Sequence, residues 1–182
     1  RLAEQSQMTS QEFKKKYIEH LRRMLVKSNP QTTPGARPLL ERLEREPSVA
    51  LGLLTGNIEP GGRSKLQVVD INRFFPVGGF GEDGEDRAEI AAAAVRRSEE
   101  FYRTRFAKER TYVVGDAAPD IDAARSIGAR TIAVASGWTP KDELVARAPE
   151  FLLDDLRQSR GFLDAVGIKE PEGHRLSALQ DG

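Results

Sequence analysis

The sequence predicts an α/β fold in which a parallel sheet is flanked by helices, and three observations lead to this prediction. From Ser48 onward, short apolar runs alternate with helical stretches, which is the pattern of strand–helix–strand units. The 182 residues include no cysteine and only two histidines, which excludes thiolate chemistry and disfavours a histidine-built centre. Lys and Arg together number 28, as do Asp and Glu, so no net charge attracts nucleic acid.

Two helices are predicted before the first strand. Thr9–Glu12 has the form of a capping box, and the apolar residues after it recur at helical spacing up to Leu25. The run Lys14–Lys16 could belong to a nucleic-acid surface, but no aromatic platform is interleaved with it, so a solvated helix face is favoured. Pro34 suits a first helical turn, and Leu39–Leu43 supplies the apolar stripe of a short second helix.

Five strands and five further helices are predicted after Pro47. The predicted strands are Val49–Leu54, Phe74–Val77, Tyr112–Val114, Thr131–Ala135 and Glu150–Leu153. The predicted helices are Glu59–Val69, Asp86–Phe106, Ala118–Ile127, Lys141–Arg147 and Leu156–Val166. The polar residues from Lys169 to the end are predicted to fray.

The first predicted strand leads directly into Thr55, Gly56 and Asn57. In an open parallel sheet, ligands bind beyond the carboxyl ends of the strands, where loops and helix N-termini converge. A hydroxyl, backbone N–H groups made accessible by a glycine, and an amide together suit an anionic oxygen. These three residues alone are equally explained as a turn that uses Asn and Gly for backbone reasons.

A second strand end carries carboxylates. Tyr112–Val114 runs into Gly115 and Asp116, and Asp120 follows near the start of the next predicted helix. Carboxylate oxygens suit Mg²⁺, which needs few protein ligands and keeps several waters. An ordinary helix N-terminus, where Asp stabilises the helix dipole without binding anything, is the alternative, and the spacing alone leaves both open.

The segment Gly79–Gly84 matches the G-x-G-x-x-G fingerprint of dinucleotide-binding proteins, and we interpret the match as false. Its acidic residues, with Glu85 and Asp86 after them, would surround a pyrophosphate with like charge, so a flexible acidic turn is favoured. Arg87 is the lone cation of this acidic run and stands at the start of the long helix. An exposed Arg in such a place commonly pairs with its neighbours.

Several segments occur together in an order that is similar to a known family. They are Leu53–Asn57, a basic residue after a Gly-rich loop, Val113–Asp120 and Ala123–Ala129. This order resembles the haloacid dehalogenase-like hydrolase superfamily, in particular its phosphoglycolate-phosphatase-like branch. The resemblance implies a Rossmann-like α/β core over residues 34–168, the remnant of a small helical cap over residues 1–33, and a polar tail over residues 169–182.

The resemblance also implies roles for individual residues. Thr55 would hydrogen-bond the transferred phosphoryl group, helped by the backbone of Gly56 and Asn57. Arg87 would stabilise the phosphate, although Lys65 is a rival for this role. In the metal site that the resemblance implies, Asp116 would bind Mg²⁺ and Asp120 would support it directly or through water.

One element of that family is absent from the sequence. The family's nucleophile is an Asp in an Asp-x-Asp-x-Thr/Val element at the end of the first core strand, and residues 1–47 contain no such element. Because the chain begins with Arg1, ahead of the first methionine at Met8, we expect that an upstream segment with this strand is missing. The chain as given is therefore predicted to be inactive, and the intact protein to be a hydrolase.

The resemblance favours a Mg²⁺-dependent phosphatase of a small phosphorylated metabolite that acts through an aspartyl-phosphate. A non-catalytic phosphate-binding or interaction module of the same fold is an alternative, and the upstream sequence would distinguish the two. A haloacid dehalogenase is a third reading, but it needs no metal, and the Asp116/Asp120 pair argues against it. No apolar run spans a bilayer and no signal peptide is evident, which predicts a cytoplasmic protein without membrane or nucleic-acid partners. The substrate and the oligomeric state do not follow from the sequence.

Overall fold

The computed structural model describes residues 9–28, 30–137 and 139–169. The chain divides into two units: the first comprises residues 1–32 and 47–104, and the second comprises residues 33–46 and 105–182. Nearly all of the polar tail predicted over residues 169–182 lies outside the described residues.

The order of helices and strands alternates as the sequence predicts. In chain order the elements are α1 (Ser10–Ser28), α2 (Ala36–Glu44), β1 (Gly52–Leu54), α3 (Glu59–Val68), β2 (Val77–Gly79), α4 (Arg87–Tyr102), β3 (Tyr112–Gly115), α5 (Ala118–Ser126), β4 (Arg130–Val134), α6 (Lys141–Ala146), β5 (Phe151–Leu153) and α7 (Ser159–Ala165). All strand pairs are parallel, which confirms the predicted α/β class.

The first unit is built around the pair β1–β2, in which Gly52 is opposite Val77 and Leu54 is opposite Gly79. Helix α4 packs on both strands, and α1 packs on α3. The contact between α1 and α3 is close because α3 presents Gly61, where a Cβ would lie 3.3 Å from the Tyr17 ring. The capping box predicted at the start of α1 is confirmed: the Thr9 N–H donates to Glu12 Oε2 (2.9 Å) and the Glu12 N–H donates to Thr9 Oγ1 (3.2 Å).

The second unit contains a three-stranded sheet in the order β3–β4–β5. Helix α5 packs on β3 and β4, and α7 packs on β5. A small core is formed by Ile121, Ala133 and Leu144, which are 3% exposed or less, with Ala135 and Leu152 packed against it. This core lies beneath the carboxyl ends of β3 and β4 and supports the loops that follow them.

The predicted strand at Phe74–Val77 is wrong in position. A short 3₁₀ helix occupies Asn72–Phe74 and buries Phe74 to 3% exposure, and the strand begins only at Val77. The strand continues through Gly78 and Gly79 because its neighbours come too near for side chains. A Cβ on Gly79 would overlap the Ile90 carbonyl oxygen of α4.

Helix α2 begins two residues later than Pro34, where the first turn was expected. Gly35 precedes the helix with φ of 85°, a left-handed conformation that glycine adopts without steric cost. The Leu156 N–H donates to the Pro34 carbonyl oxygen (3.1 Å), and a Cβ on Gly35 would overlap the backbone of Leu156. The same contact explains why α7 starts at Ser159 and not at Leu156, as predicted.

None of the helices within the described ranges is long and apolar enough to cross a membrane.

Candidate functional site

The residues predicted at the end of β1 form a tight turn between β1 and α3. The Thr55 N–H donates to the Gly79 carbonyl oxygen (3.1 Å), so Thr55 extends the pairing of β1 with β2 by one residue. The chain then reverses because Thr55 Oγ1 accepts a hydrogen bond from the Asn57 N–H (3.2 Å). Helix α3 begins two residues after Asn57. We call the segment Thr55–Asn57 the β1 loop.

The Asn57 side chain links the Thr55 hydroxyl to Lys65. Asn57 Nδ2 donates to Thr55 Oγ1 (2.8 Å), and Lys65 Nζ donates to Asn57 Oδ1 (2.8 Å). Lys65 is exposed and lies on α3, two turns after the β1 loop. The structure therefore brings the predicted rival cation to the β1 loop through Asn57.

Arg87 approaches the β1 loop at a different point. It is the first residue of α4, and Asp86 caps the helix by accepting a hydrogen bond from the Glu89 N–H (2.9 Å). Arg87 Nη1 lies only 3.1 Å from the place where a Cβ on Gly56 would be. The guanidinium can come this close because Gly56 has no side chain.

The acidic turn between β2 and α4 is tied down by an ion pair. Arg97 Nη2 donates to Asp83 Oδ1 (2.5 Å), and Arg97 Nη1 donates both to Asp83 Oδ2 and to the Gly78 carbonyl oxygen (2.9 Å). The Phe80 N–H donates to Asp83 Oδ2 as well (2.8 Å). These bonds lower the pKa of Asp83 below its ordinary value, and the hydrogen bond from Arg97 is the largest cause.

This turn contacts the β1 loop through its first glycine. The Gly81 N–H donates to the Asn57 carbonyl oxygen (2.9 Å), and a Cβ on Gly81 would overlap the Gly56 carbonyl oxygen. The Glu82 carboxylate accepts hydrogen bonds from the Glu59 N–H at the start of α3 (3.0 and 3.2 Å). The glycines of Gly79–Gly84 thus serve close backbone packing, and a carboxylate of the protein bonds the first amide of α3.

In the second unit, Asp116 and Asp120 lie at the carboxyl end of β3. Asp116 directly follows Gly115, the last residue of β3, and Asp120 is in the first turn of α5 with 8% of its surface exposed. Each carboxylate rests against a glycine. A Cβ on Gly115 would overlap Asp120 Oδ2, and a Cβ on Gly137, in the loop after β4, would overlap Asp116 Oδ2.

The carboxylate pair fits the donor set that Mg²⁺ prefers. Mg²⁺ is bound through one or two carboxylates and keeps several waters, so it does not require an all-protein cage. Among the residues that the structure describes, no group of three or more His, Cys, Asp or Glu side chains is placed to hold a metal ion. Any Mg²⁺ bound by these residues would thus rely on two carboxylates and on oxygens from water or ligand.

The structure gathers the predicted site residues into two groups. Thr55, Gly56, Asn57, Lys65 and Arg87 lie around the β1 loop in the first unit. Asp116 and Asp120 lie at the end of β3 in the second unit. The roles of these residues stay predictions.

Sequence reasoning missed the residues that support the two groups. Gly137 follows β4 as Gly56 follows β1, so a glycine just past a buried strand was the available signal. Arg97 gave no comparable signal, because it lies 14 residues from Asp83 in a helix with several other charged residues.

Comparison with known proteins identifies the family. Residues 87–159 match the family described as HAD-hydrolase-like, which covers Arg87, Asp116 and Asp120. Over 124 residues, or 68% of this chain, the sequence is 30% identical to a phosphoglycolate phosphatase from Synechococcus elongatus. The chain belongs to the haloacid dehalogenase-like hydrolase superfamily. The aligned region covers 55% of the cyanobacterial phosphatase, so this chain spans little more than half of that relative.

Solved structures of haloacid dehalogenase-like proteins have the same fold. CbbY from Rhodobacter sphaeroides, crystallised with phosphate, superposes with a TM-score of 0.66 at 17% identity, covering 86% of this chain and 68% of CbbY. A haloacid dehalogenase-like family protein from Streptococcus pneumoniae gives a TM-score of 0.60 at 18% identity, covering 71% of this chain and 59% of that protein. These likenesses support the Rossmann-like α/β fold that the sequence predicts.

Proposed function

We propose that the intact protein is a Mg²⁺-dependent phosphatase of a small phosphorylated metabolite, acting through an aspartyl-phosphate. The observation that carries the proposal is the β1 loop, where the Thr55 hydroxyl and the Gly56 backbone lie beside two cations, Lys65 and Arg87. Hydroxyl and N–H donors with adjacent positive charge are what a phosphoryl group requires, because phosphoryl transfer depends on positioning and charge neutralisation.

Each residue of the β1 loop has a distinct task in this proposal. Thr55 donates a hydrogen bond from its hydroxyl to a phosphoryl oxygen, and the backbone N–H groups of Gly56 and Asn57 add further donors. Arg87 lies over Gly56 and neutralises the negative charge that the phosphoryl oxygens carry. The similarity to a phosphoglycolate phosphatase, and the phosphate complex of CbbY, support a small phosphorylated substrate.

Asp116 and Asp120 are the residues that would hold Mg²⁺. When bound, Mg²⁺ would neutralise phosphoryl charge as a Lewis acid. Gly115 and Gly137 leave room for the two carboxylates, which fixes their positions before any ion binds. A dehalogenase needs no such pair, so the carboxylates favour the phosphatase.

The proposal places the nucleophilic Asp outside the 182 residues. Three carboxylates near the β1 loop are each engaged in building the fold. Asp83 is paired with Arg97, Asp86 caps α4, and Glu82 bonds the first amide of α3. None of these three is therefore disposed to attack a phosphorus atom held by Thr55.

The replacement Arg87→Ala tests the proposal in the intact protein. We expect kcat for p-nitrophenyl phosphate with Mg²⁺ to fall by about two powers of ten, a typical loss for one electrostatic stabiliser. Arg96→Ala is the matched control, because Arg96 is an exposed arginine of the same helix, and this variant should keep near wild-type activity.

Two outcomes would contradict the proposal. Equal activity of Arg87→Ala and Arg96→Ala would remove Arg87 from the site. An intact wild-type protein that binds inorganic phosphate but hydrolyses no phosphate ester would instead identify a non-catalytic phosphate-binding module.

A further inference from the structure

We propose that Lys65 is a positioning residue that fixes the Asn57 amide, so that the Thr55 hydroxyl can act towards a ligand only as a hydrogen-bond donor. This inference rests on the proposed function, because it assigns to the β1 loop a preference for ligands that are pure acceptors, such as a phosphoryl dianion. It also separates the tasks of the two cations at the loop, Lys65 and Arg87.

The ammonium group of Lys65 determines which way the Asn57 amide faces. A lysine ammonium has three donors and no acceptor, so only the Oδ1 atom of Asn57 can bond to it. The contact of 2.8 Å between Lys65 Nζ and Asn57 Oδ1 therefore directs the Nδ2 atom to the opposite side. On that side Nδ2 lies 2.8 Å from Thr55 Oγ1 and donates to it.

The Thr55 hydroxyl consequently has both of its acceptor positions in use. A hydroxyl has one donor and two acceptor lone pairs. Both lone pairs of Thr55 Oγ1 are directed to Asn57, one to the backbone N–H (3.2 Å) and one to Nδ2 (2.8 Å). The hydroxyl hydrogen is the group left to bond a ligand, so the ligand atom must be an acceptor.

Packing holds the Thr55 side chain in the rotamer that this arrangement needs. A Cβ on Gly62 of α3 would lie 3.2 Å from Thr55 Cγ2, so the methyl group of Thr55 lies against the bare backbone of the helix. With the methyl group placed there, the hydroxyl faces Asn57 and the β1 loop. Lys65 lies on the same helix, three residues further on, so α3 supplies both constraints.

Lys65 and Arg87 therefore differ in what they contact. Lys65 reaches the loop through the Asn57 side chain, whereas Arg87 lies against the Gly56 backbone, where the N–H donors are accessible. Lys65 acts on the ligand through Asn57 and Thr55, and Arg87 acts on its charge directly.

A double-mutant cycle on inorganic phosphate binding tests this assignment. In the intact protein, measured by calorimetry, Lys65→Met should weaken phosphate affinity about tenfold, the loss of one charge-assisted hydrogen bond. In an Asn57→Ala background the same replacement should change affinity by less than about twofold, because the path through Asn57 is gone. Lys65→Arg keeps a donor for Asn57 Oδ1 and should retain most of the affinity.

A control and a spectroscopic measurement separate positioning from simple charge. Lys27 is an exposed lysine at the end of α1, so Lys27→Met removes a positive charge from the same unit without touching the β1 loop. The side-chain amide resonances of Asn57 should shift in Lys65→Met and stay in place in Lys27→Met.

A tenfold loss on Lys65→Met in both backgrounds would show that Lys65 contacts the anion directly, and unmoved Asn57 amide resonances would show that Lys65 does not hold Asn57. Either result overturns the positioning role and leaves the proposed function standing. A wild-type protein that neither binds phosphate nor hydrolyses phosphate esters overturns the proposed function and the inference together.

Discussion

The carboxylate of Asp116 rests against a backbone position that has no side chain. Gly137 lies in the loop after β4, and any Cβ there would overlap Asp116 Oδ2. The Asp side chain is short and begins at the end of β3, so it cannot swing clear without leaving its place. Gly137 therefore fixes where one carboxylate of the proposed Mg²⁺ pair stands.

We expect Gly137→Ala to weaken Mg²⁺ affinity about tenfold, the loss typical of residues that orient a metal ligand. Calorimetric titration of the intact protein with Mg²⁺ measures this change. Gly161→Ala is the matched control, because its Cβ would meet only Leu153 Cδ2 at an ordinary 3.5 Å. If Gly137→Ala and Gly161→Ala bind Mg²⁺ alike, Asp116 is not a ligand or its position does not matter.

At the scale of elements, the turn between β2 and α4 depends on the ion pair of Asp83 with Arg97. Arg97 lowers the pKa of Asp83 below its ordinary value of 3.8, mainly by hydrogen bonding to the ionised carboxylate. A carboxyl group whose pKa is lowered by folding stabilises the folded state above its unfolded pKa. That contribution disappears as the pH falls through the folded pKa.

The variant Arg97→Met should consequently be less stable than the wild type at pH 7, and the difference should shrink below about pH 4, where Asp83 becomes protonated in the unfolded chain. Urea unfolding of both proteins between pH 7 and pH 3 measures the difference. Arg96→Met provides the comparison, since Arg96 acts on Asp83 only by weaker, longer-range attraction. A difference that stays constant over this pH range would contradict the coupling.

The sequence predicts elements well where apolar periodicity sets them, and poorly where close packing does. Helix α3 and strand β3 lie within one residue of their predicted bounds, because an apolar pattern and a clear start signal coincide there. Strand β2 was placed too early because Phe74 and Phe75 look like strand residues, whereas the true strand contains Gly78 and Gly79. Those glycines are required by the approach of β1 and α4, which no local pattern reveals.

The site shows the same division. The residue types at the ends of β1 and β3 indicate where an anion and a metal would bind, since strand order places both at loop ends. The sequence left Lys65 and Arg87 as rivals, because both are cations at plausible distances from Thr55. Their different contacts, one with the Asn57 amide and one with the Gly56 backbone, depend on the packing of α3 and α4.

At the scale of the whole molecule, each sheet has a strand with a single partner. Within the described residues β1 pairs with β2 alone, and β3 pairs with β4 alone. Val114 in β3 is 43% exposed, although an apolar side chain in a parallel sheet is ordinarily covered. A further strand could pair at either edge, and the proposed function expects one that carries the nucleophilic Asp.

The 182-residue chain on its own should therefore be inactive on p-nitrophenyl phosphate, even with Mg²⁺, whereas the intact protein should hydrolyse it. An aspartyl-phosphate mechanism needs a carboxylate within attacking distance of phosphorus. The Thr55 hydroxyl is no substitute, because Asn57 donates hydrogen bonds to it and takes no proton from it. Phosphate would still be held weakly by Thr55 and Arg87, so binding without turnover is expected. Mg²⁺-dependent turnover by these residues alone, abolished by Asp116→Ala, would show that the nucleophile lies among them.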